Sequence, residues 1–165
     1  MKRKSIAGAS CPVARSLEHV GEWWTILILR DALGGMTRFD QFIASLDIAP
    51  NILTRRLTGL VESGLLERRR YSERPPRDEY VLTERGRDFA PVVHALMAWG
   101  NRHLAPEGAS IHIVNSETGE PALPVLVDAV SGRPLSDPVF RTAAGPAANE
   151  RIRRRFAARD EVPGS

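Results

Sequence analysis

The segment LDIAPNILTRRLTGLVESGLLERRRYSERPPRDEYVLTERG, residues 46–86, contains an amphipathic helix pattern followed by a basic hairpin pattern. After Pro50, apolar residues recur at spacings of three and four, which places them on one helix face; they are Leu53, Leu57, Leu60 and Val61. Proline suits the first helical position because an N–H there would have no helical partner, and Gly64 suits the left-handed residue that closes a helix. The pattern therefore predicts a helix over residues 50–63.

The opposite face of this predicted helix carries polar side chains that match the edges of DNA bases. Asn51, Thr54 and Arg55 lie on that face. Asparagine pairs bidentately with adenine and arginine with guanine, and each good pair gives roughly 1–3 kcal/mol of discrimination. Any amphipathic surface helix has a polar outer face, however. Taken alone, the helix favours a solvated surface over base readout.

The hairpin pattern changes that balance. Strands are predicted at residues 66–71 and 79–82, with residues 72–77 as the loop because Pro75 and Pro76 do not fit inside a strand. Between residues 68 and 77 the only acidic residue is Glu73, against the arginines Arg68, Arg69, Arg70, Arg74 and Arg77. A stiff cationic loop fits phosphates or a minor groove, and a solvated charged hairpin is the less favoured alternative. A helix followed by such a hairpin predicts a winged helix with double-stranded DNA as its partner.

Residues 11–104 also resemble the HxlR family of bacterial winged-helix transcription regulators, which is itself similar to the MarR type. The matching segments are residues 11–33, 48–69 and 71–86 and the helix around Trp99. One departure is Trp23, where the family commonly has a lysine. The resemblance implies a transcription regulator, expected to be a repressor, whose first and last helices build a two-fold homodimer.

Other helices are predicted on both sides of the hairpin. Pro12 begins a short first helix that ends at Gly21, and residues 22–33 are apolar nearly all round, which is typical of a buried helix. Thr37 with Asp40 resembles a capping box for a third helix, whose inward face is Phe39, Phe42, Ile43 and Leu46. Thr83 is the predicted N-cap of one long helix over residues 84–104, whose broad apolar stripe favours an interface.

These elements predict how a dimer would bind DNA. Two copies of the helix at 50–63 should enter major grooves roughly 34–36 Å apart on a pseudo-palindrome. Asn51, Thr54 and Arg55 are the predicted base readers. The predicted backbone and wing contacts are Thr37, Arg38, Arg56, Arg69, Arg70, Arg74 and Arg77.

Composition limits the remaining classes. The chain has 165 residues, of which 42% are hydrophobic and 26% charged, which fits one globular domain with an appendage. A net charge of +3 permits a nucleic-acid partner without requiring one. No apolar run reaches the length that spans a bilayer, and a single cysteine excludes an intrachain disulfide framework. We expect a soluble, cytoplasmic protein with no membrane contact.

The predicted organisation has four parts. Residues 1–10 are a basic tail, residues 11–105 the DNA-binding and dimerisation domain, residues 108–146 an appendage, and residues 147–165 a basic helix and tail. The appendage contains a weak repeat, Thr118-Gly119-Glu120-Pro121 and Ser131-Gly132-Arg133-Pro134, which predicts two small β-hairpins with glycine turns. Structural zinc needs thiolate or imidazole ligands, and His112 alone cannot supply them, so we predict no metal.

Cys11 is the candidate for a chemically reactive side chain. It directly precedes Pro12, where the helix dipole, free N–H groups and Arg15 favour a thiolate. Some members of the resembled family sense oxidants at this cysteine. A small buried hydrophobic cysteine is the favoured alternative.

Enzymatic patterns are missing from the sequence. It has no metal-binding histidine spacing, no phosphate-binding glycine loop and no nucleophile elbow, so we expect neither an enzyme nor a cofactor. Trp23, Trp24 and Trp99 could line a cleft for a small-molecule effector, although core packing is the favoured use of these rings. The alternative functions are a winged helix used for protein contact and a ligand receptor with only weak DNA binding.

Overall fold

The computed structural model describes residues 9–160. Its elements are α1 (Pro12–Val20), α2 (Trp23–Leu33), α3 (Phe39–Leu46), α4 (Pro50–Glu62), β1 (Leu66–Glu73), β2 (Pro76–Leu82), α5 (Glu84–Arg87), α6 (Ala90–His103), β3 (Ile113–Val114), β4 (Pro121–Ala122) and α7 (Glu150–Asp160). The predicted class, mainly α with a small β component in a winged helix-turn-helix, is confirmed. Most of the predicted basic tail at residues 1–10 and the last five residues lie outside the described residues.

The described residues form two compact units. Residues 19–125 form one, and residues 9–18 with 126–160 form the other. In the first unit, α2 provides the centre of the core through Ile28 and Leu29, which are fully buried. Leucines on the inner face of α4 complete that core together with Phe42 and Leu66; they are Leu53, Leu57 and Leu60. Each such side chain contributes about 1.5–3 kcal/mol on burial, so apolar packing sets the position of α4.

The prediction that α2 is buried on every side is wrong at its first residue. The Trp23 side chain is 62% exposed, and its ring stacks on Trp24 with centroids 3.9 Å apart. Trp24 itself packs against the core. The apolar pattern misled because stacking on a neighbouring ring can support an aromatic side chain that has no place in the core.

The capping box of α3 uses a different residue from the predicted one. Gln41 Oε1 accepts hydrogen bonds from the backbone N–H groups of Thr37 (3.0 Å) and Arg38 (2.9 Å). Asp40 instead pairs with the Arg38 guanidinium. The helix begins at Phe39, one residue later than a Thr37 cap requires, which moves the third helical position to Gln41.

The wing is longer than predicted. Strands β1 and β2 pair antiparallel from Leu66 opposite Leu82 to Glu73 opposite Pro76, leaving a short tip at Arg74 and Pro75. The prediction that Pro76 lies in the loop is wrong. Proline fits the first residue of a strand at a sheet edge, because no ladder hydrogen bond is required of its nitrogen there. The Tyr80 N–H donates to the Thr37 carbonyl at 2.7 Å, which attaches the segment before α3 to the wing.

The predicted single helix over residues 84–104 is two helices. Thr83 does cap the first, since its Oγ1 accepts from the Gly86 N–H at 3.0 Å. The chain then turns at Asp88 and Phe89, and Pro91 lies in the first turn of α6, where its missing N–H costs nothing. Gly86 allows a close approach, because a Cβ there would lie 2.1 Å from the Leu65 carbonyl oxygen.

The two appendage repeats have the same hydrogen bonds. In the first, the Asn115 N–H donates to the Glu120 carbonyl and the Gly119 N–H to the Asn115 carbonyl; in the second, Asp128, Arg133 and Gly132 make the equivalent bonds. Both glycines have positive φ, +74° and +69°. Only the first repeat has strands, β3 and β4; the second has a single bridge between Val127 and Pro134. The Leu135 N–H also donates to the Leu126 carbonyl at 2.8 Å, so both repeats form the predicted hairpins with glycine turns.

The predicted C-terminal helix is confirmed as α7, capped by Asn149, whose Oδ1 accepts from the Ile152 N–H at 3.0 Å. No helix within residues 9–160 combines the length and the apolar character needed to cross a bilayer.

Candidate nucleic-acid interface

The outer face of α4 is exposed, as a surface that contacts DNA requires. The side chains of Asn51, Thr54 and Arg55 all face solvent. The Thr54 hydroxyl donates to the Pro50 carbonyl at 2.8 Å, and Asn51 Oδ1 accepts from the Ile52 N–H at 2.9 Å. Among the described residues, no ion pair holds the Arg55 guanidinium. The inner leucines fix the helix, so this polar face is presented outward by the core.

Arg56, the next residue along α4, has a different environment. Its side chain is only 20% exposed, and its Nη2 lies 2.9 Å from Glu22 Oε2 at the start of α2. Its Nε is buried and has no hydrogen-bond partner among residues 9–160. The ion pair connects α4 to α2 rather than directing the arginine at solvent. The predicted phosphate contact by Arg56 stays a prediction.

Three of the wing arginines are paired within the wing. Arg68 and Arg70 both donate to Asp78, Arg70 through Nε to Oδ1 at 2.6 Å. Arg69 makes a bidentate pair with Glu67 at 3.0 and 3.1 Å. The hydrogen bonds from Arg70 and Arg68 hold the pKa of Asp78 below its usual range. These pairs stiffen the hairpin and neutralise part of its charge.

The tip carries the wing's cations that face solvent. Arg74 and Arg77 are both exposed, and no carboxylate among residues 9–160 pairs with either side chain. They lie at the end of the hairpin, on either side of the two prolines. The tip is therefore the most available positive charge on the wing.

A recess lies beside the wing where it meets α3. Its volume is about 380 Å³, and it is lined by Arg38, Tyr71 and Arg77 among others. Arg38 Nη2 lies 2.9 Å from Asp40 Oδ2, and its guanidinium lies over the Tyr71 ring at 5.8 Å. The Arg38 hydrogen bonds lower the pKa of Asp40, and Asp40 in turn raises the pKa of Arg38. Thr37 contributes its carbonyl to the wing, and its backbone N–H is already held by Gln41.

Sequence reasoning missed the acidic partners of these arginines. Asp78 lies opposite Arg70 in the strand register, and Glu22 lies 34 residues before Arg56. A correct register for the hairpin would have found Asp78, since opposite charges in facing positions attract. No local pattern in the sequence connects Glu22 with Arg56.

The other predicted site residues lie elsewhere. Cys11 is exposed and lies in a recess of about 480 Å³ that is also lined by Arg151 and Arg155. The Nε of Arg15 donates to the Ala9 carbonyl at 2.6 Å. The Trp99 ring lies 5.5 Å from that of His103, whereas Trp23 and Trp24 stack on each other. An effector cleft lined by all three tryptophans stays a prediction, as does the metal-free appendage, although residues 9–160 hold no group of three His, Cys, Asp or Glu arranged for a metal.

Comparison with known proteins connects this geometry to a family. The family profile described as HxlR-like helix-turn-helix matches residues 19–108. A helix-turn-helix-type transcriptional regulator of Mycobacterium tuberculosis is 47% identical over 116 residues, which is 70% of this chain and 73% of the relative.

Solved structures agree with that match. A candidate transcription factor from Pseudomonas aeruginosa is 55% identical, with a TM-score of 0.63 over 88% of this chain and 99% of that chain. The redox regulator HypR in its reduced form is 32% identical, with a TM-score of 0.54 over 59% of this chain and 99% of that chain. The first of these similarities extends beyond the winged helix into the appendage.

Proposed function

Because the chain belongs to the HxlR-like helix-turn-helix family and is a transcriptional regulator with a DNA-binding domain, we propose that it is a sequence-specific repressor. It acts in the cytoplasm as a homodimer on a pseudo-palindromic operator in double-stranded DNA. The observation that carries this proposal is the solvent-facing outer side of α4, where Arg55 has no ion pair within residues 9–160.

The proposed contacts divide into base readers and backbone anchors. Asn51, Thr54 and Arg55 read base edges in the major groove, because their side chains lie on the exposed face of α4. The tip arginines Arg74 and Arg77 reach the minor groove, where negative potential is concentrated. Thr37, Arg38, Arg69 and Arg70 are secondary phosphate contacts, because their polar groups already have partners. We assign no DNA contact to Arg56, because its guanidinium is paired with Glu22.

The proposed dimer rests on exposed apolar surface. On α1, Val13 and Leu17 face solvent, and on α6 the exposed apolar side chains include Val92, Leu96 and Trp99. Exposed apolar residues grouped on two helices mark an interface more often than a free surface. A second copy covering these residues would place two α4 helices on one side of a duplex, about one helical turn apart.

A gel shift tests the division of labour among the arginines. The duplex is the region upstream of the protein's own gene, compared with a shuffled duplex of equal composition. We expect Arg55→Ala to lose discrimination between the two duplexes, by roughly 1–3 kcal/mol, because it removes a base contact. We expect Arg74→Ala to weaken both duplexes by the same factor and to lower the salt dependence of log Kd by about 1, because it removes a positive charge from the DNA surface and no base-edge contact.

Arg154→Ala is the matched control, since Arg154 is exposed on α7 and already paired with Glu150. The proposal fails if Arg55→Ala and Arg74→Ala weaken both duplexes by equal factors. It also fails if the unaltered protein binds the two duplexes equally and weakly, which is the behaviour of a protein-docking winged helix or of a receptor with little affinity for DNA.

The surroundings of Cys11 favour a second, regulatory function. The thiol is exposed at the start of α1, in a recess that Arg151 and Arg155 also line, so oxidants and electrophiles can reach it. We expect diamide to change the affinity of the unaltered protein for the upstream duplex and to leave Cys11→Ser unchanged. An unaltered protein whose affinity is insensitive to diamide would contradict sensing at this residue.

A further inference from the structure

A cavity of about 450 Å³ lies beside α6, away from the surfaces assigned to DNA. One wall is formed by α6 through Met97, Ala98, Asn101 and Arg102, and the facing wall by residues 109–113 and 121–125. The Asn101 side chain donates to the Ile111 carbonyl at 2.9 Å, which attaches the facing segment to the helix. One part of the facing wall is therefore attached to α6 at Ile111, and the other part is connected to it by the pairing of β3 with β4.

The lining is mostly apolar, with few polar groups. Met97, Ala98, Ile113 and the segment 121–125 provide hydrocarbon surface. Cavities of roughly 300–1,000 Å³ with this composition are typical of small-molecule sites. The cavity has the size and the lining expected for an organic ligand.

The polar groups at this cavity suit a ligand that carries a negative charge. Arg102 is the only charged residue in the lining, which contains no carboxylate, and His112 is the other titratable group there. Within residues 9–160, Arg102 has no ion pair to satisfy its guanidinium. A planar guanidinium binds a carboxylate through two parallel hydrogen bonds.

We propose that this cavity binds a small organic monocarboxylate with an apolar body, such as a medium-chain acyl or aryl acid. The carboxylate pairs with Arg102, with His112 beside it. The hydrocarbon body lies along Met97, Ala98 and the segment 121–125.

The position of the cavity on α6 gives the ligand a regulatory role that rests on the proposed function. Residues 97, 98, 101 and 102 share one face of the helix by their spacing, whereas Val92, Leu96 and Trp99 share the opposite face. The ligand therefore contacts α6 on the side away from the proposed dimer contacts. Binding that favours one position of α6 would shift the spacing of the two α4 helices on DNA.

Isothermal titration of the full chain with sodium octanoate and sodium benzoate tests the site directly. We expect saturable binding of at least one acid, with 1-octanol and benzyl alcohol at least about tenfold weaker because they lack the charge. Arg102→Gln should weaken the acid about tenfold or more, and Ala98→Phe should abolish binding by filling the cavity. The matched control is Arg154→Gln, which removes an equal charge on α7 and should leave binding unchanged.

Several results would overturn the site. They are no saturable binding of either acid below about 1 mM, equal binding of the acid and its alcohol, and full binding by a folded Arg102→Gln variant. Loss of the dimer in sedimentation of Ala98→Phe would show that a second copy fills the cavity, and would also overturn it. Circular dichroism confirms that each variant is folded, and Arg102→Gln, at an exposed position, keeps the test decisive if Ala98→Phe does not fold.

The DNA result is separate from the binding result. Gel shifts on the upstream duplex with and without octanoate measure the coupling between the two sites. Acid binding with the expected variant pattern supports the cavity even if the protein does not bind the duplex, an outcome that would contradict only the proposed repressor. Conversely, tight operator binding with no acid binding contradicts the cavity alone.

Discussion

Adjacent arginines on α4 have opposite environments. Arg55 faces solvent, while Arg56 is mostly buried against Glu22. A helix turns 100° per residue, so neighbouring side chains point in clearly different directions. The sequence pattern Arg-Arg alone therefore overstates how many cations the helix offers to DNA, and the role of each residue follows from its angle around the helix axis.

The ion pair between Arg56 and Glu22 should affect stability more than DNA contacts. We expect Arg56→Gln and Glu22→Gln each to lower the free energy of unfolding by roughly 1–2 kcal/mol, because each removes the ion pair between α4 and α2. The double variant should cost less than the sum of the single variants. Urea unfolding of the four proteins measures this cycle, and the salt slope of DNA binding should stay unchanged in Arg56→Gln.

Two results together would contradict this role for Arg56. If the losses of unfolding free energy in the two single variants add up in the double variant, and Arg56→Gln lowers the salt dependence of DNA binding by about 1, then Arg56 binds phosphate as the sequence predicted. Arg55→Ala provides the comparison, since it removes an exposed arginine from the same helix.

Within the wing, one carboxylate accepts hydrogen bonds from two arginines. Asp78 is held by Arg68 and Arg70 from the opposite strand, and these hydrogen bonds lower its pKa. A carboxyl group with a lowered pKa in the folded state contributes stability that is fully present above its ordinary pKa of about 3.9. That contribution is lost as the pH falls through the lower, folded value. At neutral pH the wing is therefore held in full.

We expect acid to release the wing only below the ordinary titration range of aspartate. The NMR signals of the Arg68 guanidinium should stay unchanged down to about pH 4 and shift together with the Asp78 carboxyl below it. In Asp78→Asn, Arg68 should be freed and Arg70 should keep only its pair with Glu73 at 3.7 Å, which makes the hairpin looser and its non-specific DNA affinity higher. Asp88→Asn, beside α5, is the control; a wing that shifts with the ordinary aspartates, or that is unaffected in Asp78→Asn, would contradict this account.

The elements differ in how far the sequence predicted them. Helix α4 was predictable because Pro50, Gly64 and the leucine spacing are local signals that agree. The break between α5 and α6 also has a local signal, Pro91, but the Thr83 cap and the apolar stripe both indicate one continuous helix and outweigh it. Pro76 shows the opposite error, since a signal that excludes central strands is compatible with the start of an edge strand.

For the interface, the sequence predicted which side chains lie on the outer face of α4 and at the wing tip. It could not predict which arginines pair internally, because those partners come from facing strands or from another helix. The number of arginines in this part of the sequence is therefore larger than the number of arginines that are free to bind a phosphate. Arg74 and Arg77 keep their predicted exposure because the two prolines between them hold the tip in a tight turn.

In the whole molecule, binding to a pseudo-palindromic operator requires two copies of the chain. One α4 reads a few base pairs, whereas two held by a shared dimer interface read a site of useful length. On α6, the exposed residues Leu96 and Trp99 belong to the surface that the proposed dimer would bury. The cavity on the other face of α6 would then connect ligand binding with the distance between the two reading helices.

Hydroxyl-radical footprinting on the region upstream of the gene tests whether two copies bind the duplex together. We expect two protected patches on one face of the duplex, with centres roughly 34–36 Å apart. Leu96→Glu, which places a charge in the proposed dimer surface, should lose both patches at the same protein concentration. Uniform protection, a single patch, or two patches that persist in a monomeric Leu96→Glu protein would contradict a two-fold reader of DNA.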